Sequence, residues 1–283
     1  GYSFRLARRL RQLHPDLVHT NTLKAALYGG LAARLARIPV VWHIRDRIAD
    51  DYLPATAVRG VRLLARFVPV AVITNSQATL ESVGLGVVSS VVSSAVVYDP
   101  VVPHPGAARP AAGRPLRILM VGRLAPWKGQ HVFLRAFATA DLPQGTEGVI
   151  VGSALFGEDD YVADLHRLVD QLGLGDRIRF AGQVDDVDVI LAEADVLVHC
   201  STIPEPFGQV VVEGMAAGLA VIASDAGGPS EVITSGVDGL LVAPSDVTGL
   251  AGAMADLAAD PARRKRLGDA GRRRVVEFAP DRV

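Results

Sequence analysis

Short β-branched runs alternate along the whole chain with stretches whose apolar residues recur at helical spacing. The runs Asp16–His19, Val40–His43, Val70–Thr74, Ala95–Tyr98, Leu116–Gly122, Gly148–Gly152, Arg177–Ala181, Val196–Cys200, Leu219–Ala223 and Gly239–Val242 read as strands. Helical segments lie between them, among them Leu23–Arg37, Gln130–Ala140, Tyr161–Leu172, Val187–Ala194 and Gly208–Ala217. Continuous apolar strands separated by helices predict parallel sheets covered on both faces, an α/β fold.

Residues 100–115 hold Pro100, Pro103, Pro105, Pro110 and Pro115. Proline at that density cannot supply ladder or helix hydrogen bonds, so a linker is expected between one domain over 1–103 and another over 104–283. Two such domains would face each other across a cleft at the carboxyl ends of their strands, where ligands of these sheets bind. The first half opens with a basic helical segment, Phe4–Leu13, and offers only about four strands where a doubly wound domain opens with a strand. It therefore reads as the later part of a truncated domain.

With 283 residues, 49% of them apolar, the chain can bury a core in each half, which excludes disorder. The net charge of −1 hides an asymmetry: residues 1–103 carry +6 and residues 104–283 carry −7. The single cysteine, Cys200, allows no intramolecular disulfide and sits in an apolar run, so a buried thiol is expected. The histidines form no HxxH or HExxH cluster, so no metal site is expected. No secretory leader is read before the fold. The uncharged run 82–98 is too short and too rich in serine to span a bilayer, and reads as strand and loop.

Two segments carry chemistry. The strand ending at Gly122 leads into Arg123, a short loop, Lys128 and a helix that begins near Gly129. Two cations beside a helix start suit a diphosphate, because the helix N-terminus adds its own positive end. The plainer alternative is a pair of solvated cations. No GxxxxGK[ST] is present, and Gly84-Leu85-Gly86 is only a partial dinucleotide motif, which disfavours a P-loop kinase and an NAD dehydrogenase.

The second segment is Glu205-Pro206-Phe207-Gly208-Gln209-Val210-Val211-Val212-Glu213. Pro206 suits the entrance to a helix, and Glu213 then lies among Val and Met, an expensive position unless it hydrogen-bonds a partner. Eight helical residues span about 12 Å, beyond the roughly 5–9.5 Å of a glycosidase carboxylate pair. That spacing suits gripping two ends of one elongated ligand, with the amides of Phe207, Gly208, Gln209 and Val210 facing an anion between them.

Gly122-Arg123-Leu124 with Lys128-Gly129, then Glu205-Pro206-Phe207-Gly208 with Glu213, resemble the retaining glycosyltransferases of family 4. Asp225-Ala226-Gly227-Gly228-Pro229-Ser230-Glu231 is similar to that family's glycine-rich loop. The resemblance covers essentially all of 104–283 and, more weakly, 1–103. It implies a GT-B fold of two Rossmann-like domains, the second binding the nucleotide sugar. It implies that Arg123 and Lys128 contact the diphosphate and stabilise the leaving nucleotide without a metal or other cofactor. Glu205 would bond sugar hydroxyls, Glu213 the ribose, and backbone near Gly182 and Val184 the base. His43, read as the end of its strand, matches a family histidine on the sugar side, although a lone histidine is ordinarily structural. The implied reaction transfers a sugar from a UDP- or GDP-sugar to an acceptor hydroxyl with retention, by front-face attack with the leaving phosphate as base. The family's first strand and its acceptor loop have no counterpart here, nor does its final crossing helix.

Asp186-Val187-Asp188 mimics a metal-binding DxD, but its place before a helix suits capping. Arg263-Arg264-Lys265-Arg266 reads as a solvated helix face. Arg5, Arg8, Arg9 and Arg11 interleave with Phe4, Leu6 and Leu10, and Arg59, Arg62 and Arg66 follow. They fit either an anionic membrane surface or a merely solvated face. A cytoplasmic protein, peripheral at the inner membrane face, is the corresponding expectation. Nucleic acid is a poor partner, with no recognised motif and 5% aromatics. Two rival functions share these features: a GT-B nucleotide-sugar epimerase, and a fragment that holds donor without turnover.

Overall fold

The computed structural model describes residues 1–85, 92–101, 114–155 and 157–282. Residues 102–113 of the expected linker lie outside the described residues, as do 86–91 of the uncharged run, Gly86 included. The chain divides into two compact units, Gly1–Asp99 with Glu205–Phe207, and Pro100–Pro204 with Gly208–Val283.

The first unit runs α1 (Tyr2–Leu13), β1 (Val18–Thr20), α2 (Leu23–Ala36), β2 (Val40–Ile44), α3 (Ala55–Ala65), β3 (Ala71–Thr74), α4 (Gln77–Val83) and β4 (Ser93–Val96). The strands form a parallel sheet in that order. Val40, Trp42 and Ile44 alternate into the core, where they meet Ala26, Ala33, Val58, Val61 and Leu80 from the helices. Thr22 and Ser76 start α2 and α4 by accepting from the amides of Ala25 and Thr79. β1 starts two residues after its apolar run begins, and β4 is shifted two residues toward the N-terminus of its run. Their bounds follow the partner strand instead, with Val18 opposite Val40 and Ser93 opposite Ala71.

The second unit runs β5 (Arg117–Val121), a 3₁₀ turn (Pro126–Lys128), α5 (Gln130–Thr139), β6 (Glu147–Val151), α6 (Asp159–Gln171), β7 (Ile178–Gly182), α7 (Val187–Ala192) and β8 (Val196–His199). It continues through α8 (Gln209–Ala216), β9 (Ala220–Ser224), α9 (Gly228–Val232), β10 (Leu240–Val242), α10 (Val247–Ala259) and α11 (Pro261–Arg274). Its parallel sheet has the order β10-β9-β8-β5-β6-β7. Strand order reverses between β5 and β8, and such a switch point opens a crevice at the carboxyl ends of the strands. Behind it Ile118, Met120, Phe133, Phe137, Val198 and Ile222 pack into one core.

Candidate functional site

In the second unit the loops after β5, β6 and β7 are tied into one rim. The Gly122 amide donates to the Val151 carbonyl, the Leu124 amide to Ser153, and the Gly152 amide to Gly182. Ser153 Oγ donates to Gln183 Oε1 at 3.2 Å. Gly152 is forced by this contact: it has φ +137°, and a Cβ there would stand 2.0 Å from the Gly122 carbonyl oxygen. The rim therefore carries Gly122, Arg123, Gly182 and Val184, all singled out from sequence.

Arg123 and Lys128 share the indole of Trp127. The Arg123 Cζ lies 5.3 Å and the Lys128 Nζ 4.4 Å from its ring centroid. Glu158 also reaches Arg123, with Oε1 3.6 Å from Nε. The Trp127 carbonyl is held by the Thr202 amide and hydroxyl, at 2.8 and 3.3 Å, which binds the turn to the loop after β8. Gln130, the first residue of α5, donates through Nε2 to the Arg123 carbonyl at 2.9 Å. Sequence reading passed over Trp127 and Gln130. The signal for Gln130 was of the kind that marked Glu213, a polar residue on a largely apolar helix.

Only Gln209–Ala216 is helical around the second motif. Glu205 therefore precedes the helix and Pro206 lies before its cap, while Glu213 is within it. Gly208, at φ +87°, caps α8 and has no side chain of its own to bond the first amides of the helix. Glu213 is half-buried between Val212 and Gly214, both buried. Glu205 and Phe207 are 7% and 2% exposed and group with the first unit. There Thr79 Oγ1 donates to the Pro206 carbonyl, and the rings of Phe207 and Tyr98 lie 5.8 Å apart.

In the first unit, His43 is the penultimate residue of β2, which continues to Ile44 because Thr74 pairs with it. Its ring stacks on His19, with centroids 5.6 Å apart and planes at 10°. Burial first, then His19 and Arg45, push the His43 pKa below the usual imidazole range against the pull of Asp99. The ring is therefore held neutral at pH 7, and its buried Nε2 has no hydrogen-bond partner among the described residues. Nearby, Asp99 Oδ2 accepts from Asn75 Nδ2 at 3.0 Å and pairs with Arg45 at 2.9 Å. This cluster was not legible in the sequence, because its members come from three separate segments.

Other readings resolve by packing. Asp186 caps α7 by accepting from the Asp188 amide at 3.0 Å. The Cys200 thiol is buried, donates to the Gly129 carbonyl, and is pushed up to about 12 by burial. The arginine run on α11 is not wholly solvated, since Arg264 donates to the last carbonyls of α10, Leu257 and Ala258. In the first unit Arg62 turns inward, donating to the carbonyls of Ser82 and Ile48. Arg5, Arg8, Arg9, Arg11, Arg59 and Arg66 are exposed.

Comparison with known proteins covers both units. Residues 107–274 match the model of the glycosyl transferases group 1, and residues 1–90 that of Glycosyltransferase Family 4. The chain is 35% identical over 159 residues to the lipopolysaccharide core biosynthesis glycosyltransferase LpsE of Rhizobium meliloti, covering 56% of this chain and 44% of that one. It is 38% identical over 164 residues to the lipopolysaccharide core biosynthesis mannosyltransferase LpcC of Rhizobium leguminosarum, covering 57% and 46%. The chain thus spans less than half the length of these relatives. Anabaena HepE, crystallised with UDP and glucose, superposes with a TM-score of 0.88 at 30% identity, over 99% of this chain and 79% of that one. The fold is of the GT-B class expected from the sequence.

Proposed function

The chain belongs to the glycosyl transferases group 1, and from that premise we propose that it moves a sugar from a UDP- or GDP-sugar to an acceptor hydroxyl, with retention and without a metal. The observation that carries this reading is the pairing of Arg123 and Lys128 on Trp127, at the switch-point edge of the second sheet. Residues 104–283 form the donor domain and residues 1–103 the acceptor side. Arg123 and Lys128 take the diphosphate and stabilise charge as the nucleotide leaves. Gly122 and the amides of Phe207, Gly208, Gln209 and Val210 approach the phosphates and sugar. Gly182 and Val184 meet the base, Glu213 the ribose and Glu205 the sugar hydroxyls. His43, neutral with an unpaired buried nitrogen, accepts or donates a single hydrogen bond to the transferred sugar. The UDP bound to HepE supports the donor class. The lipopolysaccharide relatives support a glycan or glycolipid acceptor.

Calorimetry with UDP-, GDP- and ADP-sugars tests the reading. One donor is expected to bind, and Glu213→Ala to weaken it about tenfold or more through loss of a charged hydrogen-bond acceptor. A chelator is expected to leave donor binding and turnover unchanged. Binding of no nucleotide sugar, or full affinity in Glu213→Ala, would refute the assignment.

The exposed basic face of the first unit is a surface for anionic lipid. Tyr2 and Phe4 of α1 are exposed beside Arg5, Arg8 and Arg9, and each arginine near such a surface is worth about 1 kcal/mol. No described helix is long and apolar enough to cross a membrane. Sedimentation is expected to recover the protein with phosphatidylserine vesicles at low salt, less at high salt, and less again after Arg8→Glu with Arg9→Glu. Equal recovery on phosphatidylcholine alone would exclude this role.

A further inference from the structure

Gln130 is fully buried, at 0% exposure, and both ends of its amide are satisfied. Nε2 donates to the Arg123 carbonyl at 2.9 Å, and Oε1 accepts from Tyr161 Oη at 3.3 Å. A tyrosine hydroxyl has one proton, and here it goes to Gln130. Tyr161 Oη also contacts His131 Nδ1, at 3.0 Å. The His131 amide reaches the same hydroxyl at 3.4 Å. Burial first, then Arg135, lower the His131 pKa, which favours the neutral ring. His131, Tyr161, Gln130 and the Arg123 carbonyl thus form one chain of polar contacts.

A buried amide is expensive unless bonded, and the helical position of Gln130 would take an apolar residue at no penalty if packing were its only task. Its one contact toward the candidate site is the backbone of Arg123, in the loop that also follows Gly122. We propose that Gln130 is a positioning residue for Arg123: held in one rotamer by Tyr161 and His131, it pins the Arg123 carbonyl and so aims the guanidinium. This inference rests on the reading of Arg123 as a diphosphate ligand.

The test is the affinity for UDP and for GDP, measured by calorimetry on the full chain, with thermal melts run in parallel. Gln130→Leu is expected to weaken binding about five- to tenfold, and Tyr161→Phe about two- to threefold. Combined with Arg123→Ala, either substitution is expected to add nothing, because it acts only through that residue. Gln130→Glu, which can still donate when protonated, is expected to recover affinity as pH falls. Parent-like affinity in Gln130→Leu and Tyr161→Phe, with Arg123→Ala impaired, would overturn the inference alone. So would an equal penalty in the Arg123→Ala background, which marks a purely structural role. Parent-like binding by Arg123→Ala itself would instead overturn the reading of the site.

Discussion

Lys128→Ala is expected to lower turnover about 10²- to 10³-fold at saturating donor, with a much smaller change in nucleotide affinity. The reason is where the charge develops. In the ground state the diphosphate already carries its negative charge spread over several oxygens. As the sugar–phosphate bond breaks, charge accumulates on the bridging oxygen, and a fixed cation there gains most in the transition state. Lys128 is suited to this because its ammonium is a compact point charge, held 4.4 Å from the Trp127 ring rather than free to follow solvent. Arg123 has the forked shape that grips a diphosphate in the ground state, so Arg123→Ala is expected to raise KM more than it lowers kcat. Lys128→Arg keeps the charge but not its compactness and is expected to recover only part of the rate. Initial rates of nucleoside diphosphate release over a donor series read all three. Equal loss of kcat and affinity in Lys128→Ala would show that the residue merely binds, and an unchanged rate would remove it from the site.

The second unit was more legible in the sequence than the first. The β5 run, Gly122, Arg123 and Lys128 are contiguous, and all ten apolar runs became strands in the structure. The reason is that a buried parallel strand must be apolar on both faces, which leaves an unbroken mark in sequence. What was not legible depends on residues far apart in the chain. The Arg45–Asp99–Asn75 cluster unites three segments, and the Gln130–Tyr161 bond joins residues 31 positions apart. No local pattern encodes such pairs. Helix bounds failed for another reason. The helix over the second motif was read from Gly208, yet Gly208 takes φ +87° and caps a helix that starts at Gln209. Gly227-Gly228-Pro229 read as a loop, yet Pro229 seats the first turn of the short helix α9. Glycine and proline punctuate the chain without fixing on which side of them regular structure resumes.

The glycine between the 3₁₀ turn and α5 supports the last expectation, a structural one. Gly129 has φ +80° and separates the 3₁₀ turn from α5. A Cβ at this position would lie 2.0 Å from the Cys200 carbonyl oxygen and 3.0 Å from its carbon. Neither atom belongs to a flexible side chain, so no rotamer change relieves the overlap. The start of α5 would have to lift away from the end of β8, taking Lys128 with it and stretching the bond from the Cys200 thiol to the Gly129 carbonyl. A left-handed non-glycine residue costs about 1–2 kcal/mol and overpacking a further 1–3, so Gly129→Ala is expected to lose roughly 2–5 kcal/mol. At about 2–4 °C per kcal/mol for a unit of this size, the melting temperature should fall by several degrees to well over ten. Gly173→Ala separates the two contributions: φ there is +66°, but nothing lies within 4 Å of the added carbon. It should show only the conformational part and keep parent-like donor affinity, whereas Gly129→Ala should lose both stability and affinity. Melts of the two variants that coincide would mean that the close approach of Gly129 to β8 is not a constraint on this loop.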